Sequence, residues 1–312
     1  MKPDMIPEIL ILGTIVAGMY GLLPISIVLT YRISRSVAFI HGGIAIAGGL
    51  AYKVLVNGQD SGHDFYQHPV MKAMPALLLV TAAGAVLAGL YGVLVMSRWI
   101  ASFPGITLTV LSISGLLMCI SAGSYFLRPT PVSVAASPFG EGGWHLRRVT
   151  LTHNRLATLL VLIVLVATLT YYLNRTYTGL AIRAIADDVE ASVWCGARLR
   201  AIGTGVYALS GAIAAMTGAL FTASVAEAVD GMLLLFATGL LLAVVGGMRS
   251  VALALGGALM YGILETALVV GFFGDLGAGE RQIVLFLALL GFIVAVARYR
   301  KESFFLLERQ NA

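Results

Sequence analysis

Residues 155–174 read RLATLLVLIVLVATLTYYLN, a run in which the single charged residue stands at the first position. About 20 apolar residues are enough to carry an α-helix across the hydrocarbon core of a bilayer. Runs of this kind recur along the chain, which is 59% hydrophobic and only 11% charged, with a mean hydropathy of +0.93. This composition predicts an all-α, polytopic helical membrane protein. A barrel of transmembrane strands would need shorter alternating segments, and these do not dominate the sequence.

The apolar runs predict about nine membrane spans within one transmembrane domain, residues 1–312. They lie at roughly 8–30, 36–56, 74–97, 105–127, 155–174, 199–225, 231–248, 250–273 and 280–298. The second span contains FIHGGIAIAGGL, residues 39–50, whose four glycines favour a broken or re-entrant segment. If this segment does not cross the membrane, eight spans remain and the N-terminus moves to the other side.

The positions of lysine and arginine predict which side of the membrane each loop faces. With the C-terminus in the cytoplasm, the inner side receives Arg32, Arg35, Arg98, Arg175, Arg183, Arg198, Arg200, Arg249, Arg298, Arg300, Lys301 and Arg309. The outer side receives Lys2, Lys72, Arg128, Arg147, Arg148, Arg155 and Arg281. The inner excess favours this orientation in the cytoplasmic membrane, with the loop 128–154 extracytoplasmic. We therefore attribute the basic pI of about 9.3 to membrane orientation and expect no nucleic-acid partner.

The segment 178–197, TGLAIRAIADDVEASVWCGA, interrupts the apolar pattern with charged residues. One apolar stripe runs along it at helical spacing, formed by Ile182, Ile185, Val189 and Val193. Thr178 is the expected N-cap and Gly196 the expected stop, which predicts one short amphipathic helix at the cytoplasmic surface. Such a helix either only connects two spans or binds a cytoplasmic partner. The adjacent acids Asp187 and Asp188 favour a partner, because anionic lipid repels carboxylates.

Three sequence elements resemble, in their order and spacing, those of branched-chain amino-acid ABC transporter permeases. The first is VAFIHGGIAIAGGLAY, residues 37–52. The second is the run 178–220, which begins with the charged segment and continues into a span rich in small residues. The third is LLAVVGGMRSVALALGGALMYGILETA, residues 241–267. The resemblance extends over about residues 8–298, with departures at Ala38, Ile40 and the triplet SIS, residues 112–114.

The resemblance implies the transport subunit of an importer, with no catalytic residue and no metal site of its own. The sequence agrees in that it contains no G-x-x-x-x-G-K-[ST] phosphate-binding loop. Two cytoplasmic ATPase subunits, which bind ATP and magnesium, would drive the movement of branched-chain or related amino acids by alternating access. A second permease subunit, usually a paralogue, and an extracytoplasmic solute-binding protein complete such a system. The segment 178–197 would be the coupling helix, and its ATPase-docking residues would be Gly179, Arg183, Ala184, Asp187, Asp188, Ala191 and Gly196.

Polar residues and glycines inside the predicted spans are candidates for the translocation pathway. They are His41, Gly42, Gly43, Ser112, Ser114 and Glu265. Ionisable residues within spans tend to face a cavity or the interior of the helix bundle. His41 either lines the pathway or joins two helices. Glu265 is the one carboxylate deep inside a predicted span, where an unpaired charge costs roughly 2.5–3.5 kcal/mol, so it needs a partner, a proton or water.

Two other functions stay open at the level of sequence. A permease of the same kind could carry urea or short amides, since the departures at Ala38 and at residues 112–114 lie in spans expected to face the pathway. A stand-alone secondary transporter or channel would need no ATPase. The glycine-rich segment around His41 fits the broken-helix pattern of secondary transporters, and the later double glycines repeat it weakly.

Overall fold

The computed structural model describes residues 6–58, 70–96, 105–127, 134–140, 142–146, 149–225, 229–248, 250–268 and 283–292. Within these ranges the chain forms eleven helices and one small β-hairpin. The helices are α1 (Ile6–Ser34), α2 (Ile40–Asn57), α3 (Ala73–Val95), α4 (Gly105–Leu127), α5 (His153–Arg175), α6 (Tyr177–Asp187), α7 (Val189–Trp194), α8 (Leu199–Thr222), α9 (Val229–Val245), α10 (Val251–Ala267) and α11 (Ile283–Phe292). The strands are β1 (Gly143–Leu146) and β2 (Val149–Thr152). The predicted helical architecture is therefore confirmed, with a short hairpin that the sequence did not predict.

Among the described residues, five helices are long and apolar enough to cross a membrane. Their apolar segments are Pro7–Ser34, Ala73–Val95, Ile106–Tyr125, His153–Arg175 and Leu199–Thr222. Three shorter apolar helices are Gly231–Val245, Val251–Ala267 and Ile283–Phe292. Parts of the predicted spans 250–273 and 280–298 lie outside the described residues. The chain thus has the helices of a multi-pass membrane protein, and the count of nine spans stays a prediction.

The second helix is continuous, which corrects the expectation of a broken segment. α2 has 18 residues, or about 27 Å of helix at 1.5 Å per residue. Its glycines allow neighbouring helices to approach closely. A Cβ at Gly43 would lie 2.9 Å from Leu116 Cα in α4, and one at Gly48 would lie 3.0 Å from Ala215 Cα in α8. The absent side chains therefore serve packing between helices. α2 is not among the five helices named above, so whether residues 36–56 cross the membrane stays a prediction.

The bundle has a buried centre and an uncovered edge. Most residues in the apolar segments of α1 and α8 are buried. By contrast, α4 and α5 bury few of the residues in their apolar segments, and large side chains such as Leu117 and Leu160 are exposed. In a bilayer, lipid tails or another protein cover apolar side chains that the chain itself leaves bare. Both α4 and α5 therefore offer a surface to lipid or to a second subunit.

The connection that contains the β-hairpin and the charged surface segment lie at opposite ends of α8. The Ala135 N–H donates a hydrogen bond to the Thr222 carbonyl, at the last residue of α8, over 3.0 Å. The Tyr52 hydroxyl of α2 donates to the Ala136 carbonyl over 2.7 Å. α7 precedes the first turn of α8, and the 24 residues of α8 span about 36 Å. The two connecting segments are thus separated by the length of a membrane span, and which end faces the cytoplasm stays a prediction.

The connection 128–154 is only partly described. Residues 128–133, 141 and 147–148 lie outside the described ranges. In the rest, β1 and β2 pair antiparallel, with Gly143 opposite Thr152 and Leu146 opposite Val149. The long connection therefore contains regular structure directly before α5.

Candidate functional site

The charged surface segment consists of two helices, which corrects the prediction of a single helix over 178–197. α6 ends at Asp187 and α7 begins at Val189, and the residue between them, Asp188, is extended with φ −145° and ψ 112°. Asp188 Oδ1 accepts a hydrogen bond from the Ala191 N–H over 3.1 Å, so Asp188 is the N-cap of α7. An aspartate in this position competes with the helix for backbone donors and ends it.

Both outer ends of the two-helix segment are capped. Thr176 is the N-cap of α6 through its hydroxyl oxygen, which corrects the expectation that Thr178 takes this role. Gly196 ends the segment with φ +90°, as predicted. The Ala197 N–H then donates to the Ser192 carbonyl over 3.0 Å, the bond that closes a helix at a left-handed glycine. The segment is therefore a defined structural unit with its own start, break and stop.

α6 buries one face against the bundle and turns the other outward. Ile182 and Ile185 are buried, as expected for the predicted stripe. The stripe does not continue into α7, because Val189 is only half-buried and Val193 is exposed. Four large apolar residues of the segment are instead exposed, and we call them the exposed apolar residues: Tyr177 (93% exposed), Leu180 (57%), Val193 (49%) and Trp194 (90%).

The structure separates the seven predicted docking residues into two groups. Arg183, Ala184, Asp187, Asp188, Ala191 and Gly196 are exposed on the segment. Gly179 is buried, and a Cβ there would lie 2.6 Å from Leu173 Cα. Gly179 therefore lets α6 pack against the end of α5, and it is not available to a partner. The sequence-based set did not include the exposed aromatic residues Tyr177 and Trp194, although aromatic residues in an otherwise polar segment were a usable signal.

An arginine outside the segment holds the end of α6. Arg35 Nη2 donates to the Ala186 carbonyl over 2.7 Å and to the Asp187 carbonyl over 3.0 Å. The last carbonyls of a helix have no partner within it, and a cation there is favourable. A cleft of about 270 Å³ at this point is lined by Tyr31, Arg32, Arg35, Arg183, Ala186 and Asp187. The sequence placed Arg35 on the inner side and gave no sign of this contact.

His41 lies fully buried between α2 and α8. Its Nε2 is 2.7 Å from Ser210 Oγ, and its Nδ1 is 3.2 Å from the Ala38 carbonyl oxygen. The Tyr207 ring lies beside the imidazole, with the two centroids 5.9 Å apart. Of the two roles predicted for His41, these contacts fit the joining of two helices. The adjacent Gly42 and Gly43 are also buried.

The two serines of the SIS triplet face different surroundings. Ser112 is buried, and its hydroxyl lies 3.0 Å from the Val37 carbonyl oxygen and 2.7 Å from the Thr109 carbonyl oxygen. Ser114 is exposed, and its hydroxyl donates to the Val110 carbonyl over 3.1 Å. Ser112 therefore fastens α4 to the turn before α2, whereas Ser114 lies on the uncovered face of α4.

Glu265 is partly buried between α10 and α1. The Tyr20 hydroxyl donates to Glu265 Oε1 over 3.5 Å, across the interface of the two helices. Tyr20 also packs edge-on against Tyr261, with centroids 4.9 Å apart. The carboxylate that the sequence singled out is thus part of a small polar group with a tyrosine partner.

The six pathway candidates do not meet in one place within the described part of the chain. On α2, His41 contacts α8, Gly42 faces α9 and Gly43 faces α4, whereas Glu265 lies between α1 and α10. An apolar cavity of about 810 Å³ lies between α5 and α8, and none of the six lines it. A translocation pathway through these residues therefore stays a prediction.

The apolar helices and the two-helix surface segment together define a class, a multi-pass helical membrane protein with a structured, partly apolar segment at one end. A family model described as the permease component of branched-chain amino acid transport systems matches residues 9–297. The chain belongs to this family, whose members are transport subunits of membrane systems with other subunits. No match was found among curated proteins or among solved structures.

Proposed function

We propose that the chain is the permease subunit of an ATP-binding-cassette importer that moves branched-chain or related amino acids across the cytoplasmic membrane. The observation that carries this proposal is the set of exposed apolar residues on α6 and α7. Large apolar residues that lie outside the bilayer are costly to leave in water, so a partner that covers them is expected. The family membership supports a permease component over a stand-alone transporter or channel.

The partner that fits the exposed apolar residues is a cytoplasmic ATPase. Trp194 and Val193 offer exposed apolar anchors at the last residues of α7, and three exposed acids lie at its start: Asp187, Asp188 and Glu190. A groove with an apolar floor and a basic rim on the ATPase would complement this surface. Two such subunits would bind ATP and magnesium and drive alternating access. The docking end, and with it the C-terminus, would face the cytoplasm.

Two further partners complete the proposed importer. The bare apolar faces of α4 and α5 leave room for a second permease subunit, which we expect to be a paralogue, and lipid covers the remainder. Ser114 lies on the uncovered face of α4, so a pathway between two subunits would reach it. An extracytoplasmic solute-binding protein would deliver the solute at the end that carries the hairpin.

Reconstitution tests the proposed function. The chain is coexpressed with its partner subunits, purified as a complex and placed in proteoliposomes with the solute-binding protein. We expect uptake of radiolabelled leucine, isoleucine or valine that requires ATP. A complex without the ATPases is the control and should show no uptake.

The solute and the energy source are separate outcomes of the same assay. ATP-dependent uptake of urea or a short amide in place of amino acids would support an ATP-driven importer with a different solute. Uptake that needs no ATP, or that follows an ion gradient alone, would contradict the importer and favour a secondary transporter or channel.

A further inference from the structure

The turn between α1 and α2 contacts both the surface segment and the membrane helices. Arg35 begins this turn and is the residue that binds the end of α6 through its Nη2 atom. Its φ is +52°, a backbone conformation that few residues other than glycine adopt. Its N–H donates to the Tyr31 carbonyl over 2.9 Å, which fixes the turn to the last residues of α1. The turn thus fixes the backbone from which the Arg35 side chain extends to α6.

The other side of the same turn is held by α4 and leads into a buried contact with α8. The Val37 carbonyl, two residues after Arg35, accepts a hydrogen bond from Ser112 of α4 over 3.0 Å. His41, in the first turn of α2, contacts Ser210 of α8 over 2.7 Å. The contact with α6 and the contacts with the two membrane helices are therefore at most six positions apart along the chain.

Stability alone does not explain the Arg35 contact. The Arg35 side chain is exposed, and hydrogen bonds of exposed charged groups add little to the free energy of folding. The same contact does fix the position of α6, because one nitrogen atom binds two successive carbonyls at its end. The arrangement is therefore better suited to holding a geometry than to strengthening the fold.

We propose that Arg35 is a positioning residue that transmits movement of the ATPase-docking segment to α2 and α4. The proposal rests on the proposed function, because it assumes that α6 and α7 bind an ATPase. When the docking segment shifts, the two hydrogen bonds carry the shift to the turn, and the Val37 and His41 contacts carry it into the bundle. Loss of the guanidinium would leave the ATPase bound and separate ATP hydrolysis from transport.

The variant Arg35→Asn tests this role, because asparagine tolerates positive φ and keeps the turn. Arg35→Gly is the second variant, since glycine adopts this conformation without strain. Arg200→Gln is the control, because Arg200 is an exposed arginine at the start of α8, so the variant removes the same charge from the same end of the bundle. Each complex is measured for ATPase copurification, melting temperature, ATP hydrolysis and solute uptake in proteoliposomes.

We expect both Arg35 variants to copurify with the ATPase and to melt near the wild-type temperature. The amount of solute moved per ATP hydrolysed should fall about tenfold, within the usual range of coupling between two sites. Arg200→Gln should keep the wild-type ratio. A wild-type ratio in either Arg35 variant, an equal fall in Arg200→Gln, or loss of the ATPase from the Arg35 variants would overturn the proposal. Absence of an ATPase on the wild-type chain would instead contradict the proposed function.

Discussion

Replacing Trp194 with alanine is expected to weaken binding of the ATPase by about 30-fold or more, as for other buried tryptophan anchors. Trp194 is 90% exposed at the end of a six-residue helix, so the fold of the isolated chain does not depend on its side chain. Within a partner groove the same indole would be fully covered. The dissociation constant is measured by titrating purified ATPase onto the permease in nanodiscs, and uptake should fall in parallel.

The control for Trp194→Ala is Tyr125→Ala. Tyr125 is a 76% exposed aromatic residue near the end of α4 that leads to the hairpin connection, and its removal should leave ATPase binding unchanged. Equal binding by the wild type and Trp194→Ala would mean that α7 does not carry the docking energy. The surface segment would then be only a connection between spans.

Reversing the charge of Asp187 and Asp188 is a less selective experiment than the sequence suggests. Asp188 caps α7, and removal of such a cap typically costs about 1 kcal/mol. Asp187 lines the same cleft as Arg32, Arg35 and Arg183, so a lysine at this position would place like charges beside each other. If the double variant lost ATPase binding, the loss would have two causes that this experiment does not separate: disruption of the segment and loss of charge complementarity.

Replacing His41 with alanine is expected to destabilise the chain by about 3 kcal/mol, because the change leaves a cavity and removes a buried hydrogen bond. His41 is 0% exposed, and its partner Ser210 is equally buried. Residual transport should keep the wild-type KM for the solute, since the imidazole reaches no open space. Thermal unfolding in detergent gives the stability, and uptake at several solute concentrations gives the KM.

Two variants sharpen the His41 experiment. Ser210→Ala removes the other half of the contact, so the double variant should lose less stability than the sum of the single changes. Ser114→Ala changes an exposed serine on α4 and should leave stability unchanged. Wild-type stability of His41→Ala together with a changed KM would contradict the packing role and return His41 to the pathway.

The glycine-rich α2 shows a limit of sequence reasoning. A missing Cβ permits either a bent backbone or a close neighbour, and the pattern FIHGGIAIAGGL is compatible with both. The choice depends on what lies beside each glycine, such as Ala215 beside Gly48, and that residue is far away along the chain. The helical class and the family were accessible because they depend on composition and on ordered motifs.

The candidate residues show the same difference between local and distant information. The helix stop at Gly196 depends on local sequence and was predicted. The cap by Asp188 is also local, but the apolar stripe at helical spacing led to the prediction of one continuous helix. Ser112 and Ser114 stand two positions apart, about 200° around a helix, so they could not share one face, and the sequence was sufficient to show this. The contact of Arg35 with α6 joins residues 151 positions apart and could not be read from the sequence.

In the proposed importer, α6 and α7 form the surface on which a separate ATPase docks. Amide hydrogen exchange of the permease in nanodiscs, with and without purified ATPase, tests it without any substitution. We expect slower exchange over residues 177–196 when the ATPase binds, with no change over residues 142–152 of the hairpin. Bound ATPase with unchanged exchange over 177–196, or with protection at the hairpin, would contradict it.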